Sequence, residues 1–376
     1  MKKKQIRVLQ VISDLKKGGV QAEVMWPARL MSSEDVHFDV LLLSPDIGYY
    51  EDEFKKYGKI YRIVLPKGNN KIIRGIKLFT DPFRVYKEVD QLLRSNPDYD
   101  AVHCHHNIYH APVLLAAKHN GIKVRIGHSA INKPEGKEKN KLLVQWYIWL
   151  CSIILKYIAS SKLGVTQNAA DYIFGKGEGR VIKNPTIDLE AFNPRLYKRE
   201  NKDLLTLIIV GSISPRKNQK FAVDVLYELK KQRTNCKLKI IGYARSEKEG
   251  YLPMLMEKIE KLGLQNDVEF LPQDANIPYH MSQSDFLLMP SLQEGLPNVA
   301  LEAQAMWLPC VISTDVSTDC DCGLCTYLPL DAGAKAWSDY LLKEFDRSER
   351  KELDMSEWDN RKVCQEYLEL WRGNIS

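Results

Sequence analysis

The chain has 376 residues, more than one compact core usually holds, so two domains of somewhat under about 200 residues each are expected. Apolar residues make up 44% and charged residues 27%, ordinary for a soluble globular protein, and no stretch reaches the length of a membrane span. The net charge of +6 is uneven. Residues 1–190 hold about ten more basic than acidic side chains, so the first half suits an anionic partner or is simply a solvated basic surface.

The basic start, Met1 to Lys4, is followed by a short apolar run, Ile6–Ile12, that Arg7 and Gln10 interrupt. It reads as a first strand and not as a signal peptide. Lys17-Gly18-Gly19-Val20 then turns into a helical pattern containing Pro27. Further strands are expected at Phe38–Leu43, Ile60–Leu65, Ala101–His103, Lys123–Ile126 and Leu163–Thr166. Leu142–Leu155 is uncharged but contains Gln145 and Ser152, and reads as a core helix. A domain boundary is expected near Ile187–Leu204, where Asn184-Pro185 and Asn193-Pro194 punctuate the chain and a charged stretch follows. Strands resume at Leu205–Val210, Lys237–Ile241, Val268–Phe270, Phe286–Met289 and Cys310–Ile312, with helical patterns at Phe221–Arg233 and Leu252–Leu262 and a helical tail, Met355–Leu370. Val-, Ile- and Leu-rich strands alternating with helices in both halves predict an α/β protein of two doubly wound domains.

The eight cysteines are scattered, as in a cytosolic chain with reduced thiols. Cys320, Cys322 and Cys325 cluster, but without a paired C-x-x-C or a nearby His, so no metal is assigned to them. Seven of the eight histidines fall in the first half, six of them close together at 103, 105, 106, 110, 119 and 128. No pair of them lies beside a convincing third ligand, and most are expected to be structural or at the surface.

Chemistry concentrates in the segment from Pro290 to Ala305, Pro-Ser-Leu-Gln-Glu-Gly-Leu-Pro-Asn-Val-Ala-Leu-Glu-Ala-Gln-Ala, which follows a strand and opens a helix. Ligands of open α/β sheets bind at such junctions, and helix-start amides near Asn298 and Val299 would face an anion. Glu294 and Glu302 bracket the helix start, placed to accept hydrogen bonds from sugar or ribose hydroxyls. The competing reading is a helix capped by Asn298, with Glu302 serving its dipole.

This segment resembles the paired-glutamate motif of family 4 glycosyltransferases, E-x7-E with an E-G-x-P-N-x-x-x-E-A filling, and most of the chain resembles members that build bacterial capsular and exopolysaccharides. The resemblance implies the GT-B architecture: an acceptor-binding Rossmann-like domain over 1–190 facing a donor-binding one over 191–355 across a cleft, with 356–376 packing back toward the first. It also implies that Glu294 contacts the donor sugar, that Glu302 holds the ribose, and that the Asn298 and Val299 amides, with Gly295 and Pro297 shaping the loop, hold the distal phosphate. Val210-Gly211-Ser212-Ile213-Ser214-Pro215-Arg216-Lys217-Asn218 is similar to the family's phosphate loop. Lys217 matches the family lysine, whereas Ser212 stands where Arg is common; Arg216 either supplies that charge or is a solvated turn residue. Gly18 and Gly19 match the family's glycine pair, beside acceptor and diphosphate, with Gln21 where Glu is common. His128, in Val-Arg-Ile-Gly-His-Ser, matches the histidine at the reaction centre, His105 a position near the acceptor, and Gly242 the place of the nucleotide base. Trp307 replaces a usual glycine after the motif helix and is expected to pack against the cysteine-bearing loop.

The implied activity is transfer of a sugar, with retention, from a nucleotide diphosphate sugar, by family habit a UDP-sugar, to a glycan or a lipid-pyrophosphate-linked glycan. Catalysis would rest on Glu294, His128 and Lys217 with no metal or cofactor, and domain closure would exclude water. A nucleotide-sugar 2-epimerase of the same layout and a non-catalytic sugar-nucleotide-binding protein are the competing readings. Basic residues beside apolar ones at 67–79 and 133–155 suit an anionic membrane surface, at the inner face of which a cytoplasmic enzyme would act. Nucleic acid is not expected, because basic residues are not interleaved with an aromatic platform.

Overall fold

The computed structural model describes residues 5–16, 18–32, 36–65, 71–105, 109–130, 142–200, 203–233, 235–244, 250–294, 296–345 and 350–375. The chain forms two compact units, Met1–Thr186 together with Trp358–Ser376, and Ile187–Glu357.

The first unit runs β1 Ile6–Ile12, α1 Gly19–Met31, β2 Val36–Leu42, α2 Glu51–Phe54, β3 Ile60–Arg62, α3 Lys71–Ser95, β4 Ala101–Cys104, α4 His110–His119, β5 Val124–Ser129, α5 Leu142–Ile158, β6 Ser161–Gly164, α6 Gln167–Phe174 and β7 Arg180–Val181. All seven strands are parallel, in the order β3-β2-β1-β4-β5-β6-β7. Strand side chains alternate between faces, and β1 shows the result. Leu9 and Val11 enter one core with residues of α3, α4, α5 and α6, while Ile6, Val8 and Ile12 enter a second with α1. The last helix of the chain completes that second core: Val363, Cys364, Tyr367, Leu368, Leu370 and Trp371 are buried in it, and the Trp371 ring meets Phe38 edge-on at 5.3 Å. Two residues share this buried α1 face of β1 and β4 without being apolar, Gln10 and His103.

The second unit runs β8 Leu205–Val210, α7 Gln219–Gln232, β9 Cys236–Ile241, α8 Tyr251–Lys261, β10 Val268–Leu271, α9 Ile277–Ser282, β11 Phe286–Met289, α10 Asn298–Ala305, β12 Cys310–Ser313, β13 Cys325–Leu328 and α11 Gly333–Phe345. Its six strands are also parallel, ordered β10-β9-β8-β11-β12-β13. Trp337 of α11 and Leu226 and Leu229 of α7 are fully buried against β8, β9 and β11. The tail helix, α12 Asn360–Trp371, follows a separate 3-10 turn at Ser356–Trp358, so the continuous pattern expected from Met355 breaks at Asp359, whose side chain caps α12 through the Arg361 amide.

The short strands β7 and β13 had no counterpart in the apolar pattern. Arg180 and Val181 are exposed and β13, Cys-Thr-Tyr-Leu, is half-buried, so neither shows a buried-strand run. Both sit at a sheet edge, where one side faces no neighbour.

Candidate active site

Each sheet reverses its direction of growth beside its first strand: between β1 and β4 in one unit, between β8 and β11 in the other. The loops leaving those strands cannot cover one another, and a crevice opens at their carboxyl ends. The candidate residues lie on these loops.

In the second unit, the β8 loop and the β11 loop are joined by charge. Arg216 Nη1 donates to Glu294 Oε2 at 2.9 Å and to the Gln293 carbonyl at 3.3 Å, and the Leu292 amide donates to the Arg216 carbonyl at 2.8 Å. Lys217 Nζ lies 2.9 Å from Glu294 Oε1, an ion pair whose angle is not that of a hydrogen bond. Glu294 is thus held between two cations, and its backbone bridges to Val316. Arg216 is an exposed turn residue, as one reading had it, and its guanidinium also pairs with the acidic member of the motif, as the other requires. Ser212 contributes its carbonyl, which accepts from Gln219 Nε2 at 2.9 Å; Gln219 also receives the Ser214 amide and so braces the loop from α7. Asn218 takes a left-handed conformation, φ 54°, at the turn into α7.

Gly211 and Gly242 are necessary to this arrangement. A Cβ on Gly242, where φ is 155°, would lie 1.9 Å from the Gly211 carbonyl oxygen, so the β8 and β9 loops approach as closely as bare backbone allows.

Asn298 is the first residue of α10, not its cap: Pro297 occupies the cap position and no side chain caps this end. The capping alternative therefore falls. The Asn298 Oδ1 atom is buried with no hydrogen-bond partner among the described residues. The helix start keeps the uncapped amides that an anion would use. Glu302 sits one turn in; burial raises its carboxyl to about 7, opposed by the nearby Lys217 charge. Gly295 lies outside the described residues.

Trp307 follows the end of α10. Leu308 N donates to Ala303 O and Trp307 N to Gln304 O, both at 2.9 Å, with Trp307 left-handed at φ 55°. This is the closure usually built on glycine, so the tryptophan costs about 1–2 kcal/mol of backbone strain. Its ring lies under the Arg195 guanidinium at 5.4 Å. The cysteine-bearing loop is tied to α10 by Gln304, which donates to Cys320 O at 2.7 Å and accepts from Cys322 N at 2.8 Å. Within the loop, the Cys320 and Cys325 thiols are pushed up by contact with one another or with Cys310, and by burial.

In the first unit, Gly18 and Gly19 lead into α1 from β1, and Lys17 lies outside the described residues. One turn on, Glu23 is fully buried. Its Oε2 atom is 3.2 Å from His105 Nδ1 and 3.6 Å from His128 Nδ1, and His105 Nε2 is 2.8 Å from Gln10 Oε1. His103 joins them: the nitrogens of His103, His105 and His128 lie within 4.8 Å of one another. The sequence pattern did not show this trio, because it depends on β4 lying beside β5 with His103 opposite Ile126. The missed member is Glu23, whose only signal is a carboxylate on the inward face of the helix after the glycine pair. His105 and His128 are both buried.

Burial governs the charges here. It lowers His103 well below the usual histidine range, His105 to about 3 and His128 to about 4, and raises Glu23 to about 7. Three histidines and a carboxylate suggest a metal, but the hydrogen bonds oppose it. Trp371 Nε1 donates to His103 Nδ1 at 3.3 Å, so a neutral His103 carries its proton on Nε2. Neither nitrogen of His103 is then an open lone pair, whereas a ligating histidine needs an acceptor behind its second nitrogen. The tautomer of His105 decides the proton at Glu23: where Nε2–H donates to Gln10 Oε1, the bare Nδ1 accepts a proton held on Glu23.

Residues 195–321 match the family described as Glycosyl transferases group 1. Along most of its length the chain is similar to the glycosyltransferase EpsF of Bacillus subtilis, 28% identical over 91% of this chain and 88% of that one. It is similar also to CapH of Staphylococcus aureus, a capsular polysaccharide biosynthesis glycosyltransferase, 25% identical over 79% and 78%. An Escherichia coli UDP-Gal:alpha-D-GlcNAc-diphosphoundecaprenol alpha-1,3-galactosyltransferase is 24% identical over 80% and 78%. Among solved structures, Anabaena HepE, determined with UDP and glucose, shares the fold at a TM-score of 0.65 with 16% identity, covering 97% of this chain and 95% of that one.

Proposed function

From the premise that this chain is a glycosyltransferase carrying a glycosyl transferases group 1 domain over residues 195–321, we propose that it transfers a sugar from a nucleotide diphosphate donor, with retention and without a metal ion, to a glycan or lipid-diphosphate-linked glycan during surface polysaccharide synthesis. The observation that carries the reading is the charge cluster at the second unit's switch point: Lys217 and Arg216 converge on Glu294 beside the uncapped start of α10.

A diphosphate seated at that helix start would meet Lys217, Arg216 and the Asn298 and Val299 amides. These supply positive potential where charge develops on the leaving group, the role a metal otherwise fills. Glu302 would accept ribose hydroxyls, and its high affinity for a proton suits it to a site that is desolvated when filled. Glu294, released from its cations as phosphate arrives, would turn to the donor sugar. Among the described residues no second carboxylate at the switch point is placed as a nucleophile on the sugar, which supports front-face departure and attack, with the leaving phosphate taking the acceptor proton. The first unit, with Gly18, Gly19, His105 and His128, is assigned to the acceptor.

The test is transfer from a panel of nucleotide sugars, UDP-sugars first, with and without acceptor and in EDTA. Acceptor-dependent product with the donor's anomeric configuration, undiminished by EDTA, is expected. Epimerised donor without acceptor would point to the isomerase reading, and donor binding without turnover to the non-catalytic one. Glu294→Ala should lower turnover at least tenfold without unfolding the protein; near-normal transfer by that variant refutes its role.

For location, we place the enzyme against the inner face of a membrane that carries its acceptor. The basic and apolar residues at 67–79 and 133–141 that suggested this have side chains outside the described residues. No helix among the described residues is long and apolar enough to cross a membrane.

A further inference from the structure

His128 is fully buried, yet neither of its ring nitrogens has a hydrogen-bond partner among the described residues. Buried polar atoms are nearly always paired, so an imidazole kept in this state marks a group held for a purpose other than packing. Its orientation is fixed by neighbours. The His103 ring stacks on it at 5.4 Å with 12° between the planes, the His105 ring lies at 5.3 Å, and Tyr367 of α12 meets it edge-on at 6.1 Å. The His128 carbonyl lies 3.2 Å from His110 Nε2, which holds the backbone as well. Burial lowers the ring to about 4, so at neutral pH it carries a single proton. Packing does not choose which nitrogen carries it.

Glu23 does. Its Oε2 atom faces His128 Nδ1 at 3.6 Å. That is longer than a hydrogen bond, but away from water an oxygen turned toward a nitrogen favours a proton there and opposes a lone pair. The preference holds in both charge states of the acid. His105 Nδ1 is nearer to the same oxygen, at 3.2 Å, so a proton on Glu23 is directed to His105 and Oε2 keeps a lone pair for His128. The ionised carboxylate accepts from both rings.

We propose that Glu23 is a positioning residue for the transfer reaction: it keeps the proton of His128 on Nδ1 and leaves Nε2 bare. A bare Nε2 accepts a hydrogen bond from a sugar hydroxyl and has none to give to a phosphate, which assigns His128 to a hydroxyl of the reacting sugars and not to the leaving group. The inference rests on the reading above that His128 serves the transfer, and it names the group that prepares the ring. His103 cannot take this part. Trp371 Nε1 donates to its Nδ1 at 3.3 Å, so its proton is on Nε2, and the two stacked rings are opposite tautomers.

The full chain is labelled with 15N-histidine, its rings are assigned by replacing one histidine at a time, and the tautomers are read from the ring nitrogen shifts at neutral pH without ligand. In the wild type, His128 should carry its proton on Nδ1 and His103 on Nε2. Glu23→Leu puts an apolar side chain of similar size at the site, and His128 should then shift to the Nε2–H form that an unconstrained imidazole favours. Turnover of that variant should fall at least tenfold in kcat, with the donor KM within twofold of wild type. A merely structural Glu23 would change the melting temperature and leave the tautomer alone. A wild-type His128 protonated on Nε2 overturns the proposal without recourse to any variant, and so does a Glu23→Leu protein that keeps the wild-type tautomer. His128→Ala is measured beside it. Loss of turnover in His128→Ala with none in Glu23→Leu overturns the positioning role alone, whereas full turnover in His128→Ala overturns the place of His128 in the reaction and the proposal with it.

Discussion

Replacing Glu23 by Gln isolates the cost of a carboxylate sealed among histidines. Burial is the largest cause of the rise of Glu23 from 4.5 to about 7, and the nearby His128 opposes it only partly. The shift of about 2.5 units corresponds to about 3 kcal/mol at about 1.4 kcal/mol per unit. Because the folded-state value is raised, the folded protein holds this proton more tightly than the unfolded chain between about pH 4.5 and 7. Stability therefore falls as pH rises through that window and levels off above it. His105 and His128 act in the opposite sense: their folded values, about 3 and about 4, lie below the usual 6.5, so they remove stability as pH falls below 6.5. His103, also lowered by burial, adds to that acid limb, and Tyr367 on α12 stays neutral throughout. The wild-type profile mixes these contributions, but the difference between Glu23→Gln and wild type leaves Glu23 together with its coupling to His128. The glutamine amide can donate to His105 Nδ1 as the protonated acid does, so the geometry is retained. Urea denaturation at half-unit steps from pH 4.5 to 8.5 should show the variant gaining on wild type by up to about 3 kcal/mol from the acid to the alkaline end. A difference that is flat across the range would mean that Glu23 titrates alike in the folded and unfolded chain, and the account of a desolvated, protonated acid would be wrong.

Two further outcomes follow from the second unit. In the ligand-free protein Glu294 competes for the cations that a diphosphate needs. Glu294→Gln should bind free UDP about three- to tenfold more tightly by calorimetry, the share of a charge-assisted pair of about 1.5–3 kcal/mol that the ligand no longer displaces, while sugar transfer falls. Weaker UDP binding by that variant would contradict the competition. Gly242→Ala should cost more than about 3 kcal/mol or abolish donor binding, since its Cβ would strike the Gly211 carbonyl, whereas Gly250→Ala, left-handed but with open space around it, should cost only about 1 kcal/mol. Equal losses by thermal melting in the two variants would show that steric approach of the β8 and β9 loops is not what Gly242 provides.

Much was readable along the chain because it is local. Continuous Val-, Ile- and Leu-rich runs such as Leu205–Val210 can only be strands covered on both faces, and their alternation with helices leaves doubly wound α/β units as the economical solution. The Glu294-to-Glu302 segment announced itself for the same reason: a loop between a strand and a helix carries its residues to one place by chain connectivity alone. What the tertiary structure decided depends on neighbours far away in sequence. Arg216 meets Glu294 only because β8 and β11 are adjacent across the switch point, and His103, His105 and His128 meet Glu23 only because β4 pairs with both β1 and β5. Trp307 stands where a glycine is usual, but that the tryptophan itself takes the left-handed closure is visible only in the structure. The protonation of Glu23 likewise belongs to no motif; it follows from the removal of water, which only the assembled core accomplishes.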